Sequence, residues 1–182
     1  MSDLKKLRAT DPEFMERIEH FAFDEAVNEP EAQLDPETRN LAILAALLGC
    51  QGVDMFRVAL KRALQEGLDP VKVKETVYQA VDYLGIGRVF PFLDVVNETL
   101  KERGVELPLP GQATTTMEDR LQKGAQAQAD IFGPHMLEAW KKGHINRWLA
   151  ANCFGDYYTR GGLTLAQREM ITFCFLMAQG GC

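Results

Sequence analysis

The sequence lacks the features that would place it in several large functional classes. Basic charge is not in excess: 20 Lys plus Arg stand against 26 Asp plus Glu in 182 residues, a net charge of -6. A chain without a basic stripe cannot displace counterions from a phosphate backbone, so nucleic acid is not an expected partner. Long apolar runs are missing as well. A spanning helix needs about 20 apolar residues, and the two longest uncharged runs, 40–53 and 170–182, have 14 and 13. Both read as buried helices, and a membrane is not an expected partner. The charged start, MSDLKKLR, is not followed by an apolar segment with a small-residue cleavage site, which makes the cytoplasm the expected compartment.

Cysteine is sparse and scattered. Cys50, Cys153, Cys174 and Cys182 form neither C-x-x-C spacing nor a dense framework, so free thiols are expected in a reducing compartment. Cys174 and Cys182 lie eight apart on one predicted helix, about 12 Å by rise and beyond disulfide reach. Cys153, among Trp148, Leu149 and Phe154, reads as a core residue. The three histidines, His20, His135 and His144, show no zinc-site spacing, and no metal is expected. G-x-S-x-G and P-loop patterns are absent, which removes common hydrolase and nucleotide-binding readings. Gly85-Ile86-Gly87 has no third glycine and no preceding strand, so it reads as a helix break rather than a dinucleotide fingerprint.

Strand signals are nearly absent too, whereas apolar residues recur at helical spacing through most of the chain. With 46% hydrophobic and 25% charged residues, the chain can fill a core, and the fold class expected is all-α, a helical bundle. Asp11-Pro12, Asp35-Pro36 and Asp69-Pro70 each put a capping carboxylate before a proline whose missing N–H costs nothing at the first helical position. The pattern predicts helices from Pro12 to about Val27, over 38–48 closed by Gly49, over 55–64 ended by Gly67, from Asp69 through Leu84, and over 89–100. Residues 105–115, ELPLPGQATT and its preceding valine, carry two prolines and no helical period, as a linker would. Thr116 and Asp119 suggest a capping-box-like start for a second unit. The expected organisation is a complete helical unit at 1–104, a linker at 105–115 and a shorter unit at 116–182. Arg39 set opposite Arg168 aligns 41–44 with 170–173 and brings both runs to Gly-Cys, at 49–50 and 181–182, which suggests a tandem repeat whose second copy is truncated.

The strings LDPETRNLAILAALLG at 34–49, RALQEGLDP at 62–70 and VDYLGIG at 81–87 resemble the carboxymuconolactone decarboxylase family, which includes alkylhydroperoxidase D-like enzymes. The likeness covers roughly residues 14–100. A second stretch, IFG at 131–133 and FGDYYTRGGLT at 154–164, resembles the same family. The resemblance implies an α-helical bundle that assembles as a homo-oligomer, a trimer or hexamer, and that uses neither metal nor organic cofactor. Its small-molecule sites would lie near subunit or repeat contacts.

Two chemistries follow from that resemblance. The decarboxylase branch would act on a small acidic or lactone-like metabolite, as in cofactor-independent decarboxylation of a carboxylated lactone in aromatic-compound catabolism. It needs a cation to orient the anion and an acid or base for the proton. Arg39 and Arg168 are the candidate cations, Glu169 the acid or base, and Tyr83 a further substrate contact. The plainer alternatives are ion pairs for the arginines and a core position for Tyr83. The peroxidase branch uses C-x-x-C-x-x-x-H with a glutamate on the preceding helix, a setting that favours the thiolate. Here the two cysteines and the histidine fall on Gly52, Met55 and Ala59, and the glutamate position holds Asn40. The second copy keeps Glu169 and ends on Cys182; Cys50 is the other candidate thiol. Carboxy-lyase activity is therefore the expectation favoured over peroxidase activity, and a non-catalytic oligomeric binding module is a third reading. The aromatic group Trp140, Trp148, Phe154, Tyr157 and Tyr158 is expected in the core or at an interface.

Overall fold

Two of the three Asp-Pro pairs do what their spacing predicts. Asp35 Oδ1 accepts from the Thr38 backbone N–H at 3.0 Å and Asp69 Oδ1 from that of Val71 at 2.8 Å, satisfying donors a helix start leaves free. Asp11 makes no cap bond; its carboxylate accepts from the Thr10 hydroxyl. The computed structural model describes residues 2–180. Its helices are α1 (Ser2–Thr10), α2 (Pro12–His20), α3 (Pro36–Gly49), α4 (Val53–Gln65), α5 (Pro70–Gln79), α6 (Val81–Leu84) and α7 (Ile86–Glu102). They are followed by α8 (Arg120–Phe132), α9 (His144–Trp148) and α10 (Leu165–Gln179). No strand occurs among the described residues, and no helix there is long and apolar enough to cross a membrane.

The protein is all-α, as the periodicity requires. The helix expected from Pro12 to Val27 is α2 continued by a π-helical turn over Phe21–Glu25 and a 3-10 turn over Ala26–Asn28. The chain before α10 has a longer π-helical segment, Leu149–Tyr158. Gly85, at φ 84°, separates α6 from α7 where the sequence predicts a break, a conformation that costs glycine least. Thr164 and Gln167 complete a capping box at the start of α10. Before α8, the Thr116 N–H donates to Asp119 Oδ1 at 2.6 Å, but the helix itself begins at Arg120.

One buried cluster draws on both parts of the chain. Leu41, Leu44 and Leu48 of α3, Phe56 and Leu60 of α4, Val73 and Val77 of α5 and Phe92 and Val96 of α7 pack with Ile171 and Phe175 of α10. The Phe56 and Phe92 rings meet edge-on, centroids 5.0 Å apart, and burial of each such ring is worth roughly 1.5–3 kcal/mol. α10 lies against α3 so closely that a Cβ on Gly49 would stand 2.6 Å from the Phe175 carbonyl oxygen. Val105, Leu107 and Leu109 also pack on this core, and Thr114 and Thr115 donate to the Thr159 and Gly155 carbonyls at 2.8 Å. Residues 105–115 thus form a strap on the protein rather than a free spacer.

A polar hub joins the two parts. Glu75 of α5 is 1% exposed. Arg160 donates to it from Nε, at 2.9 and 3.1 Å, and from Nη2, at 2.8 Å. Arg168 Nη2 donates to Glu75 at 3.2 Å and to the carbonyls of Arg160 and Gly161 at 3.0 Å, while its Nη1 donates to Gln79 Oε1 at 2.9 Å. A carboxylate so enclosed persists only because its charge and lone pairs are matched.

Candidate active site

α6 is only four residues long, yet it places two consecutive polar side chains, Asp82 and Tyr83, against the C-terminal helices. They face a cavity of about 600 Å³. Its apolar wall is Phe132, Met136, Ile145, Trp148, Leu149 and Phe154; its polar lining is Asp82, Tyr83, Gln128, Asn152, Cys153, Tyr158, Glu169 and Thr172. A concave, mostly apolar chamber with few convergent polar groups is the usual form of a small-molecule site.

The aromatic wall is held by ring contacts. Phe154 stacks on Tyr158 with centroids 4.7 Å apart and meets Phe132 edge-on at 5.8 Å. Gly124 and Gly155 let α8 and the π-helical segment approach backbone to backbone: a Cβ on Gly124 would lie 1.8 Å from the Ala150 carbonyl oxygen, and one on Gly155 would lie 2.2 Å from that of Arg120. π-Helical segments accompany functional sites often enough to be noted. Here the segment supplies Leu149, Asn152, Cys153, Phe154 and Tyr158.

The polar lining carries two acids, three hydroxyls, two amides and a thiol. The Tyr83 and Tyr158 hydroxyls share a hydrogen bond of 2.8 Å. Burial pushes the Asp82 carboxyl up to about 6, against a hydrogen bond from the Cys153 thiol that lowers it and with the Asp156 charge adding to the rise. Burial likewise pushes Tyr83 up to about 12 and raises Tyr158 well above the usual phenol range, with Tyr83 and Glu169 beside it adding to that rise. Asp82 Oδ2 and Gln128 Oε1 are buried with no hydrogen-bond partner among the described residues, as are Gln79 Nε2, Thr99 Oγ1 and Arg168 Nε away from the chamber; only the first two of these five face a cavity large enough for a ligand to supply the partner. Near neutral pH the carboxyl is poised between acid and base, and the tyrosine pair can donate to an oxygen that gains charge.

The sequence-derived candidates separate in space. Glu169 and Tyr83 share this cavity. Arg168, the residue before Glu169, is 1% exposed and points to the Glu75 hub instead. Arg39 lies 3.9 Å from Glu66 beside Asn40, which donates to Glu66 at 2.9 Å; neither residue lines the cavity. Cys50 is exposed just after α3, its sulfur 3.7 Å from the Leu47 carbonyl oxygen, and Cys182 lies outside the described residues. Cys153 and Phe154 are buried, as expected of core residues, and they also line the chamber, together with Trp148 and Tyr158. Burial, and after it the Asp82 charge, pushes the Cys153 thiol up to about 12. That is the reverse of what a peroxide-attacking thiolate requires.

Asp82, Gln128 and Asn152 escape sequence reasoning. Asp82 sits directly beside the chosen Tyr83, in a Val-Asp-Tyr-Leu run whose single acid on an otherwise apolar turn was the available signal. No group of three or more His, Cys, Asp or Glu that could hold a metal occurs among the described residues.

Residues 12–98 match the family model of the carboxymuconolactone decarboxylase family. The match contains the α6 wall of the cavity, Asp82 and Tyr83, whereas the residues of α8, the π-helical segment and α10 lie beyond it. No curated protein matches the chain.

Proposed function

Because residues 12–98 belong to the carboxymuconolactone decarboxylase family, we propose that this protein binds a small lactone-like metabolite in the chamber beside α6 and moves a proton on it. Asp82 is the acid or base, and the Tyr83–Tyr158 pair is the donor to the carbonyl or enolate oxygen. The observation that carries this reading is the Asp82 carboxyl itself: held at about 6, with one oxygen unpartnered, in an apolar chamber next to two linked phenols. Glu169 at the lining is the second carboxylate available for proton exchange.

The lining narrows the substrate class. Among the described residues no Lys, Arg or His lines the chamber, while Asp82 and Glu169 do. A neutral lactone therefore suits it better than an acidic one, whose carboxylate would meet like charge without a cation. Decarboxylation of a carboxylated lactone stays compatible only if that carboxylate faces the open mouth. The peroxidase alternative is the weaker one, since Cys153 is held as a thiol and the sulfur of Cys50 lies against a backbone carbonyl, which does not favour a thiolate. A homo-oligomer, trimer or hexamer, belongs to the same proposal. The apolar residues Phe132, Ile145 and Trp148, each more than half exposed, would be partly covered in it.

Trp148 provides the assay. Its fluorescence is followed while a neutral unsaturated lactone, or its carboxylated analogue, is added at pH 7.5, and deuterium uptake at the ring carbon next to the carbonyl is read by NMR. The neutral lactone is expected to bind and to exchange faster with the protein than without it, and Asp82→Asn to slow that exchange about 100-fold. Tighter binding of the carboxylated analogue, or unchanged exchange in Asp82→Asn, would overturn the reading.

A further inference from the structure

On the other side of the Glu75 hub a second hollow, about 410 Å³, shares no residue with the chamber. α5 contributes Val71, Lys74 and Tyr78, α7 contributes Asn97 and Lys101, the strap 107–112 forms the facing wall, and Arg160 closes one end. Its charges are Lys74, Lys101 and Arg160 against Glu75 alone.

Three nearby acids are paired elsewhere. On α7, Glu98 pairs with Arg57 at 2.9 Å and Glu102 with Lys61 at 2.8 Å, both toward α4. Glu37 takes Lys72. Lys74 donates to the amide oxygen of Asn97 and has no carboxylate partner among the described residues; burial alone lowers it from the ordinary lysine range. Lys101 stands at the exposed rim with no ion pair to the described residues. Arg160 gives Glu75 its Nε and Nη2, which leaves Nη1 free among the described residues. Its guanidinium carbon lies 5.2 Å from the centroid of the Tyr78 ring, and the Lys74 ammonium lies 5.9 Å from the same centroid. Leu107 and Leu109 add an apolar wall opposite.

We propose that this hollow is a binding site for a small organic dianion, with Lys74, Lys101 and the free Nη1 of Arg160 taking the charge and Tyr78, Leu107 and Leu109 taking the apolar body. Two uncompensated positive charges remain once Glu75 is set against one cation, so the fit is to two negative charges rather than one. A partly desolvated lysine whose hydrogen bond goes to a neutral amide gains most from such a ligand, because the ligand returns the stabilisation that water no longer gives. Phosphate monoesters and dicarboxylates share this chemistry.

The test is calorimetric titration of the full chain at pH 7.5 with phenyl phosphate, isophthalate and benzoate. One or both dianions are expected to saturate the protein, with benzoate about tenfold weaker and with affinity falling as salt rises. Saturation by phenyl phosphate alone identifies a phosphate site, and saturation by isophthalate alone a dicarboxylate site. Lys101→Met, at an exposed position, and Lys74→Met are each expected to weaken the dianion about fivefold or more, while lactone binding read at Trp148 stays unchanged. Failure of both dianions to saturate in the millimolar range, or wild-type affinity in Lys101→Met, would overturn the proposal. Lys101→Met keeps the test decisive if Lys74→Met does not fold.

Discussion

Replacing Asp82 by asparagine tests the site through stability as well as through chemistry. The carboxyl titrates at about 6 in the folded protein instead of at its ordinary 3.8, a rise of about two units, which corresponds to about 3 kcal/mol if fully expressed. Asp82 is only partly buried, and its cavity side opens to solvent, so screening reduces the expressed value to about half, 1–2 kcal/mol. The sign follows from proton binding. Between pH 3.8 and 6 the unfolded chain releases the Asp82 proton while the folded protein retains it, so stability falls as pH rises through this window. Below it both states are protonated and the penalty vanishes. An amide in place of the carboxyl would keep the shape without the charge. Asp82→Asn is therefore expected to be about 1–2 kcal/mol more stable than wild type at pH 7.5 and equal to it below about pH 4. Urea unfolding at a series of pH values, compared as the difference between the two proteins, cancels the other carboxylates. A variant less stable at pH 7.5, or a difference independent of pH, would refute the assignment of a strained carboxyl at this position.

Three further outcomes follow from contacts elsewhere. Gly124→Ala forces a Cβ to within 1.8 Å of the Ala150 carbonyl oxygen and should cost about 3 kcal/mol, lowering the melting temperature by about 10 °C and reducing lactone binding, since the chamber wall must shift. Arg168→Met leaves Glu75 with Arg160 only and should cost about 3–5 kcal/mol in urea unfolding, whereas Arg39→Met, beside a single ion pair 3.9 Å long, should cost less than about 1 kcal/mol; equal losses would contradict the hub. Iodoacetamide followed by intact-protein mass should label Cys50 long before Cys153, because a thiol held up at about 12 is about one part in ten thousand thiolate at pH 8. Early labelling of Cys153 would contradict its enclosure beside Asp82.

Much of the scaffold is legible in the chain itself. The Asp-Pro starts at 35 and 69, the break at Gly85 and the stop near Gly67 are local devices, and local devices do not depend on what lies across the molecule. The site is legible only in part for the same reason. Tyr83 and Glu169 stand out as candidates, but nothing local says that residues so far apart along the chain share one chamber, or that Asp82 would lose its water there. Trp148, Phe154 and Tyr158 have the spacing of core residues. They become a chamber wall because Gly124 and Gly155 set how near α8 may come, a three-dimensional distance with no signature in periodicity.

Arg168 and Glu169 show how such a division of labour arises. Adjacent residues on a helix point about 100° apart, so α10 sends its arginine to Glu75 and its glutamate to the chamber. The cation that sequence alignment offered as an anion receptor is thereby consumed in joining α10 to α5, and the chamber is left without a cation among the described residues. Arg39, at the aligned position of α3, meets Glu66 next to the end of α4 instead of a buried Glu75 equivalent. Similar helices therefore do not confer similar roles, because the partner of each arginine is chosen by whichever helix packs across from it. Charge is sorted accordingly: cations outnumber the single carboxylate, Glu75, in the hollow beside the hub, whereas the charged groups of the chamber are the carboxyls Asp82 and Glu169. A ligand that prefers one chamber should avoid the other, and a neutral lactone and a small dianion should bind together without competing.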